Sequence, residues 1–226
     1  MNNIYLGGVE PVSLIDWPGK TSTVLFFMGC PMRCKYCHNS KFFELSSDYL
    51  LDMSKAESYI IHNEKYIDAV VFSGGEPYFQ YDALKHLSKF AHANKLLVGV
   101  ETSGIFPDLV KASVDEGYVD HVFLDIKCLP EYYNTWAGNK NGKNAFEVLT
   151  YGLPNLDVRT TVFKENVGHV FYIYRALIGT DYPYTLQQGI TKDKDLMVDE
   201  VELNRIAHKI PYQNMYINTK KGIFKV

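Results

Sequence analysis

Short apolar segments, β-branched and aromatic, alternate along this chain with segments of helical period, and that alternation most limits the folds open to it. The apolar runs lie at about Thr21 to Met28, Ala69 to Phe72, Leu96 to Val100, His121 to Leu124, Leu156 to Val162 and about Tyr184 to Leu186, with a last one at Met215 to Asn218. The helical segments between them show one-sided apolar stripes: Ile60 and Ile61 after a Ser54–Glu57 capping box; Leu84, Leu87 and Ala91; Val110 and Val114, stopping at Gly117; Ala145, Val148 and Leu149 after caps at Asn144 and Glu147; Val170, Ile173, Tyr174 and Leu177; Leu203, Ile206, Ala207 and Ile210. Parallel strands need a crossover, usually a helix, so this order predicts an α/β fold with helices packed outside a parallel sheet. The expectation is a partial (β/α)6 TIM-like barrel, one domain over 1–226 with a short N-terminal β extension at Ile4-Tyr-Leu. A long irregular loop is expected from Cys128 to Lys143.

The unusual polar residues fall at the C-terminal ends of the apolar runs: Cys30, Glu76, Glu101, Asp125 and Gln187. In an α/β barrel those ends share one face, where active sites form. Strand ends are also polar simply because loops are, but the number of acids and thiols gathered here favours a site.

Composition narrows the partners. Net charge is −3, which gives no bulk attraction to polyanions, so no nucleic acid is expected. The start, Met1-Asn-Asn-Ile-Tyr-Leu-Gly-Gly, lacks the basic and long apolar regions of a signal peptide, and no apolar run has membrane-spanning length. A cytoplasmic location and no membrane partner are expected. Apolar residues make up 46% of the 226, enough for a substantial core.

Three of the four cysteines, Cys30, Cys34 and Cys37, sit in one stretch, Cys30-Pro-Met-Arg-Cys34-Lys-Tyr36-Cys37. They are too close together for an ordinary disulfide framework, and thiolates favour zinc or iron–sulfur clusters. Structural zinc takes four protein ligands, and a fourth is not evident: His38 adjoins Cys37, and Cys128 lies at another strand end. A cubane held by three thiolates, with one iron open to a substrate or cofactor, explains the count better. Zinc with an open position is the alternative. Cys128 reads as a packed small residue, and no second cluster is expected.

These residues resemble a known family. Cys-x3-Cys-x2-Cys with an aromatic, Tyr36, before the last cysteine resembles the radical S-adenosylmethionine (SAM) superfamily, and Ser73-Gly-Gly-Glu-Pro77 resembles its GGE segment. Glu101-Thr-Ser-Gly104 and Asp125-Ile-Lys127 resemble segments of glycyl-radical-enzyme activases. Ser13-Leu-Ile-Asp-Trp-Pro-Gly19, Tyr36-Cys-His-Asn39, Arg159-Thr-Thr-Val162 and Leu186-Gln-Gln188 resemble the anaerobic ribonucleoside-triphosphate reductase activating group.

The resemblance implies a partial barrel of the radical SAM type and a [4Fe–4S] cluster on Cys30, Cys34 and Cys37. It implies oxidoreductase chemistry: one electron enters the cluster, and SAM is cleaved to methionine and a 5′-deoxyadenosyl radical. The cofactors carry this chemistry, while the protein positions and shields it. By the same resemblance Tyr36 lies along the adenine, Gly74 and Gly75 let backbone approach the ligand, and Glu76 accepts from the SAM ammonium. Thr102 and Ser103 are candidate ribose or SAM contacts, and Arg159 faces SAM or points outward. Glu101, Asp125 and the backbone near Phe123 would form a monovalent cation site, or Lys127 would neutralise the acids as a salt bridge. The implied partners are anaerobic ribonucleotide reductase or another glycyl radical enzyme, with flavodoxin or ferredoxin as electron donor. A radical SAM enzyme acting on a small molecule is the alternative.

Overall fold

A computed structural model describes residues 3–226. Met1 and Asn2, where the stretch scanned for a targeting signal begins, lie outside the described residues. The chain falls into two compact units. The first holds the described residues up to Arg33, with Cys37–Thr102 and Phe106–Val122; the second holds Cys34–Tyr36, Ser103–Ile105 and Phe123–Val226.

In the first unit β1 (Asn3–Ser13) runs antiparallel to β2 (Ser22–Phe27), pairing Val9 with Leu25, and to β3 (Leu50–Asp52), pairing Ile4 with Leu51. β1 extends well beyond the three-residue strand the sequence suggests. Glycines and half-exposed polar positions blur its alternation, and the ladders on its two sides extend it. After α1 (Met53–His62) come β4 (Ala69–Gly74), α2 (Tyr81–Ala93), β5 (Leu97–Thr102) and α3 (Pro107–Asp115). β2, β4 and β5 are parallel, with Val24 opposite Val71 and Val71 opposite Gly99, and the strand order is β3-β1-β2-β4-β5. Ala69, Val70, Val71 and Phe72 are all buried, as a strand covered on both faces requires.

α2 buries the expected stripe of Leu84, Leu87 and Ala91. In α1 the expected capping box is absent. β3 runs straight into the helix, so the N-cap is Asp52 and Ser54 already lies in the first turn. Glu57 instead meets His86 of α2 at 2.7 Å, and Ile61 is exposed while Ile60 is buried.

The next strand, β6 (His121–Asp125), starts in the first unit and enters the second at Phe123. Then follow α4 (Tyr133–Ala137), α5 (Lys143–Val148), β7 (Leu156–Val162), α6 (Val167–Ile173), β8 (Tyr184–Gln188), α7 (Glu200–Ala207), β9 (Met215–Thr219) and β10 (Gly222–Lys225). The strand order is β6-β7-β8-β9-β10; β7, β8 and β9 are parallel, and β10 turns back antiparallel. β10 has only exposed residues, so it carries no burial pattern by which the sequence could reveal it.

The expected loop from Cys128 to Lys143 contains a 3-10 turn, Pro130–Tyr132, and the short α4, which buries Tyr133 and Ala137 and ends on left-handed Gly138. Asn144 lies inside α5 and donates to the Ile105 carbonyl at 2.9 Å, so it does not cap that helix; the N-cap is Gly142. Among the described residues no helix is long and apolar enough to cross a membrane.

Candidate active site

In the first unit the strand ends are tied together by backbone. Past β2, Gly29 N–H donates to the Phe42 carbonyl at 2.8 Å and Cys30 N–H to that of Phe43 at 3.0 Å. Past β4, Gly75 N–H donates to Phe27 O at 2.7 Å and Glu76 N–H to Gly29 O at 2.9 Å. Gly74 has φ +103°, and a Cβ there would stand 2.5 Å from Phe27 O; one on Gly75 would stand 2.5 Å from Gly29 O. The glycine pair therefore admits the backbone of the β2 exit, a neighbour that the sequence reading, which gave them a ligand, does not foresee.

Glu76 is buried, 1% exposed, and its Oε1 accepts from Thr102 Oγ1 at 2.8 Å and from Tyr78 N–H at 3.4 Å. Glu101 accepts from Ser73 Oγ at 2.6 Å. Arg33 donates to the carbonyls of Cys30, at 2.6 Å, and Met32, at 2.8 Å, and pairs with Glu44, which folds the loop start back on itself.

The second unit holds the middle of the cysteine loop. Lys35 N–H donates to the Trp136 carbonyl at 2.8 Å. Tyr36 packs against Phe163 at 4.3 Å and Trp136 at 5.3 Å between ring centroids. Its hydroxyl donates to Glu165 Oε2 at 2.6 Å, and Lys35 Nζ meets the same carboxylate. Burial first, then the bond to Glu165, raises the Tyr36 pKa, with Lys35 opposing; the bonds from Tyr36 and Lys35 lower that of Glu165.

At the end of β6, Asp125 Oδ2 pairs with Lys127. Asp125 Oδ1 is buried with no hydrogen-bond partner among the described residues. Burial opposes the charge on Lys127, but Asp125, followed by Cys34, outweighs it and holds the ammonium above the ordinary lysine range. Cys128 is fully buried, and burial, followed by Cys34 and Glu131, pushes its thiol up to about 12. It is a packed neutral thiol, as expected.

Alternation along β7 buries Leu156, Val158, Thr160 and Val162, so Arg159 lies on the other face. Its guanidinium stacks 4.3 Å from the Phe123 ring, and Phe123 shares a face of β6 with Asp125. Arg159 therefore lies on the Asp125 side, which alternation alone left open. Ser103 is buried and precedes left-handed Gly104. Asn166, 1% exposed and unmarked by any motif, donates to the carbonyls of Lys127 at 3.2 Å and Thr161 at 2.9 Å and accepts from Phe163 N–H at 2.8 Å.

Comparison with known proteins places this geometry. The family model of the radical SAM superfamily matches residues 24–174. A protein of Methanocaldococcus jannaschii, provisionally named a glycyl-radical enzyme activating enzyme, is 34% identical over 98% of both chains. The chain belongs to the radical SAM superfamily, in its glycyl-radical enzyme activating group. The pyruvate formate-lyase-activating enzyme of Clostridium pasteurianum is 28% identical over 84% of this chain and 86% of its own.

Among solved structures, TYW1 with a bound lysine-pyruvate adduct aligns with TM-score 0.64 at 14% identity, over 90% of this chain and 79% of the other. QueE from Escherichia coli aligns with TM-score 0.57 at 13% identity, over 96% and 94%. They share the α/β fold with its parallel strands, the class expected of a partial (β/α)6 barrel.

Radical SAM enzymes work with a [4Fe–4S] cluster and S-adenosylmethionine in redox chemistry. The residues present fit those groups. Cys30, Cys34 and Cys37 are half-buried and in no disulfide, and three soft thiolates suit a cubane with one iron left over. Among the described residues no three His, Cys, Asp or Glu side chains converge to hold a single metal ion, whereas a cubane takes each thiolate on a different iron. The buried, unbonded Asp125 Oδ1 is a polar atom that a bound group would satisfy.

Proposed function

We propose that this protein is the activase of an anaerobic ribonucleoside-triphosphate reductase, generating a glycyl radical on that partner. The observation that carries the reading is the ordered set of segments from Ser13 to Gln188, set in a chain 34% identical over 98% of its length to a protein named for glycyl-radical enzyme activation. Cys30, Cys34 and Cys37 hold the cluster. Bound together, cluster and S-adenosylmethionine supply the radical that removes a Cα hydrogen from one glycine of the partner.

The chain's own residues bind and enclose. The Glu76 carboxylate, held by Thr102, receives the SAM ammonium, a charge-assisted bond strengthened by burial. Gly74 and Gly75 bring that acid to the β2 exit. Tyr36 forms the wall beside the adenine, Ser103 and Thr102 contact ribose or SAM, and Asp125, Lys127 and Arg159 supply charge near its carboxylate. A low-potential flavodoxin or ferredoxin delivers the electron, and the cytoplasm, where thiols stay reduced, is the setting.

Anaerobic incubation with S-adenosylmethionine, a reductant and a purified reductase, read by electron paramagnetic resonance, should give a glycyl radical doublet on the reductase. S-adenosylmethionine cleavage with no protein radical would sink the proposal. The likeness to a pyruvate formate-lyase-activating enzyme favours a second reading, in which another glycyl radical enzyme is the partner. A signal on pyruvate formate-lyase alone would select it.

A further inference from the structure

Glu165 stands just past the end of β7, in a position no motif marks. Its carboxylate is saturated by the two residues that separate Cys34 from Cys37. Oε2 accepts from the Tyr36 hydroxyl at 2.6 Å and from Lys35 Nζ at 2.9 Å, and Oε1 from Lys35 Nζ at 3.2 Å. The backbone of the same segment is held by the bond from Lys35 N–H to Trp136 O at 2.8 Å. The Lys35 ammonium also lies 5.3 Å over the Tyr36 ring and 6.0 Å over that of Trp136.

The other wall is firm. Phe163, whose ring lies tilted against that of Tyr36, has its N–H fixed by buried Asn166. Two residues have four soft backbone dihedrals between them. Holding both side chains and one backbone N–H leaves that segment little freedom.

An exposed ion pair by itself contributes little to stability, and the Lys35 and Glu165 side chains are 51% and 39% exposed. Their use is geometric. One carboxylate shared by an ammonium and a phenol orders both donors at once. We propose that Glu165 is a positioning residue, clamping Lys35 and Tyr36 so that the Cys34–Cys37 arm presents its thiols, and the Tyr36 ring, in one arrangement to the cluster and adenine. This rests on Cys34 and Cys37 being cluster ligands, as the proposed function has it.

The test uses the full chain reconstituted anaerobically, with iron content, S-adenosylmethionine affinity and the paramagnetic resonance spectrum of the reduced cluster as readouts. Glu165→Ala should keep the melting temperature of the apoprotein, weaken S-adenosylmethionine binding about tenfold and alter the spectrum of the SAM-bound cluster. Glu165→Gln, which keeps an acceptor for Tyr36, should recover part of both. Tyr36→Phe combined with Glu165→Ala should be no worse than Glu165→Ala alone, because both remove one linkage.

Unchanged affinity and spectrum in Glu165→Ala, no recovery in Glu165→Gln, or additive losses in the double variant would each overturn the clamp. Cys34→Ala separates the two claims. If it keeps a full complement of iron, the ligand assignment fails and the clamp has nothing to position. If it loses iron while Glu165→Ala binds normally, the ligands stand and the clamp alone is wrong.

Discussion

Thr102 Oγ1 donates to Glu76 Oε1 at 2.8 Å, joining the last residue of β5 to the turn after β4, where Glu76 is 1% exposed. A buried carboxylate is costly unless its bonds are made, and one already aimed loses little further freedom on binding a cation. Glu76→Ala should therefore keep the iron but lose about 1.5–3 kcal/mol of S-adenosylmethionine affinity, the usual size of a bond to a charged group. Calorimetric titration of the reconstituted variant measures it. Unchanged affinity would remove Glu76 from the site.

Gly74 and Gly75 have steric duties that do not depend on any ligand. Gly74→Ala forces a side chain into φ +103° and against Phe27 O. It should cost the apoprotein about 2 kcal/mol or more, read as a lowered urea midpoint. A Gly74→Ala protein of ordinary stability that fails only in cofactor binding would show that the pair serves the ligand instead.

The four cysteines should separate into two kinds. Cys34→Ala should lose the cluster, with its brown colour and iron. Cys128→Ala should keep the iron, because that thiol is fully buried and its pKa is pushed up to about 12. Its cost should be about 1 kcal/mol of lost apolar burial. Iron analysis of the two variants side by side decides it.

His169 gives a pH signature. Its Nδ1 accepts from Leu129 N–H at 3.4 Å, and its ring lies 4.6 Å from Tyr132. Burial lowers its pKa below 6.5, with Glu131 opposing. A lowered folded-state value means that the unfolded chain binds the proton first. The neutral ring's contribution to stability is thus whole above pH 6.5 and is lost as pH falls through the folded value. A carbon-13 NMR titration of the apoprotein should place His169 below 6.5; a value above that would refute the assignment.

Much of this was legible in the chain itself. β7 falls where the run from Leu156 to Val162 places it, since a strand that buries one face fully and the other partly writes its two-residue period directly into residue type. The stripe of Leu84, Leu87 and Ala91 in α2 did the same at helical spacing. The misplaced helix starts at Ser54 and Asn144 have one cause. A cap belongs to whichever residue the preceding segment delivers, and β3 and Gly142 delivered others. β10, exposed throughout, had no apolar signal to read.

Sequence alone determined the class of chemistry. Three thiols in eight residues, Gly-Gly-Glu and Asp-Ile-Lys are local patterns whose meaning survives without coordinates, because ligand count and softness belong to residue type. Tertiary structure decided which groups meet across distance. It set Glu165 on Lys35 and Tyr36, more than a hundred residues away, and made Asn166 the bond centre for Lys127, Thr161 and Phe163. It put Arg159 over Phe123 and gave Gly74 the backbone of Phe27 for a neighbour. Such pairings arise from the packing of strands and turns far apart in the chain, and no residue's identity or spacing encodes them.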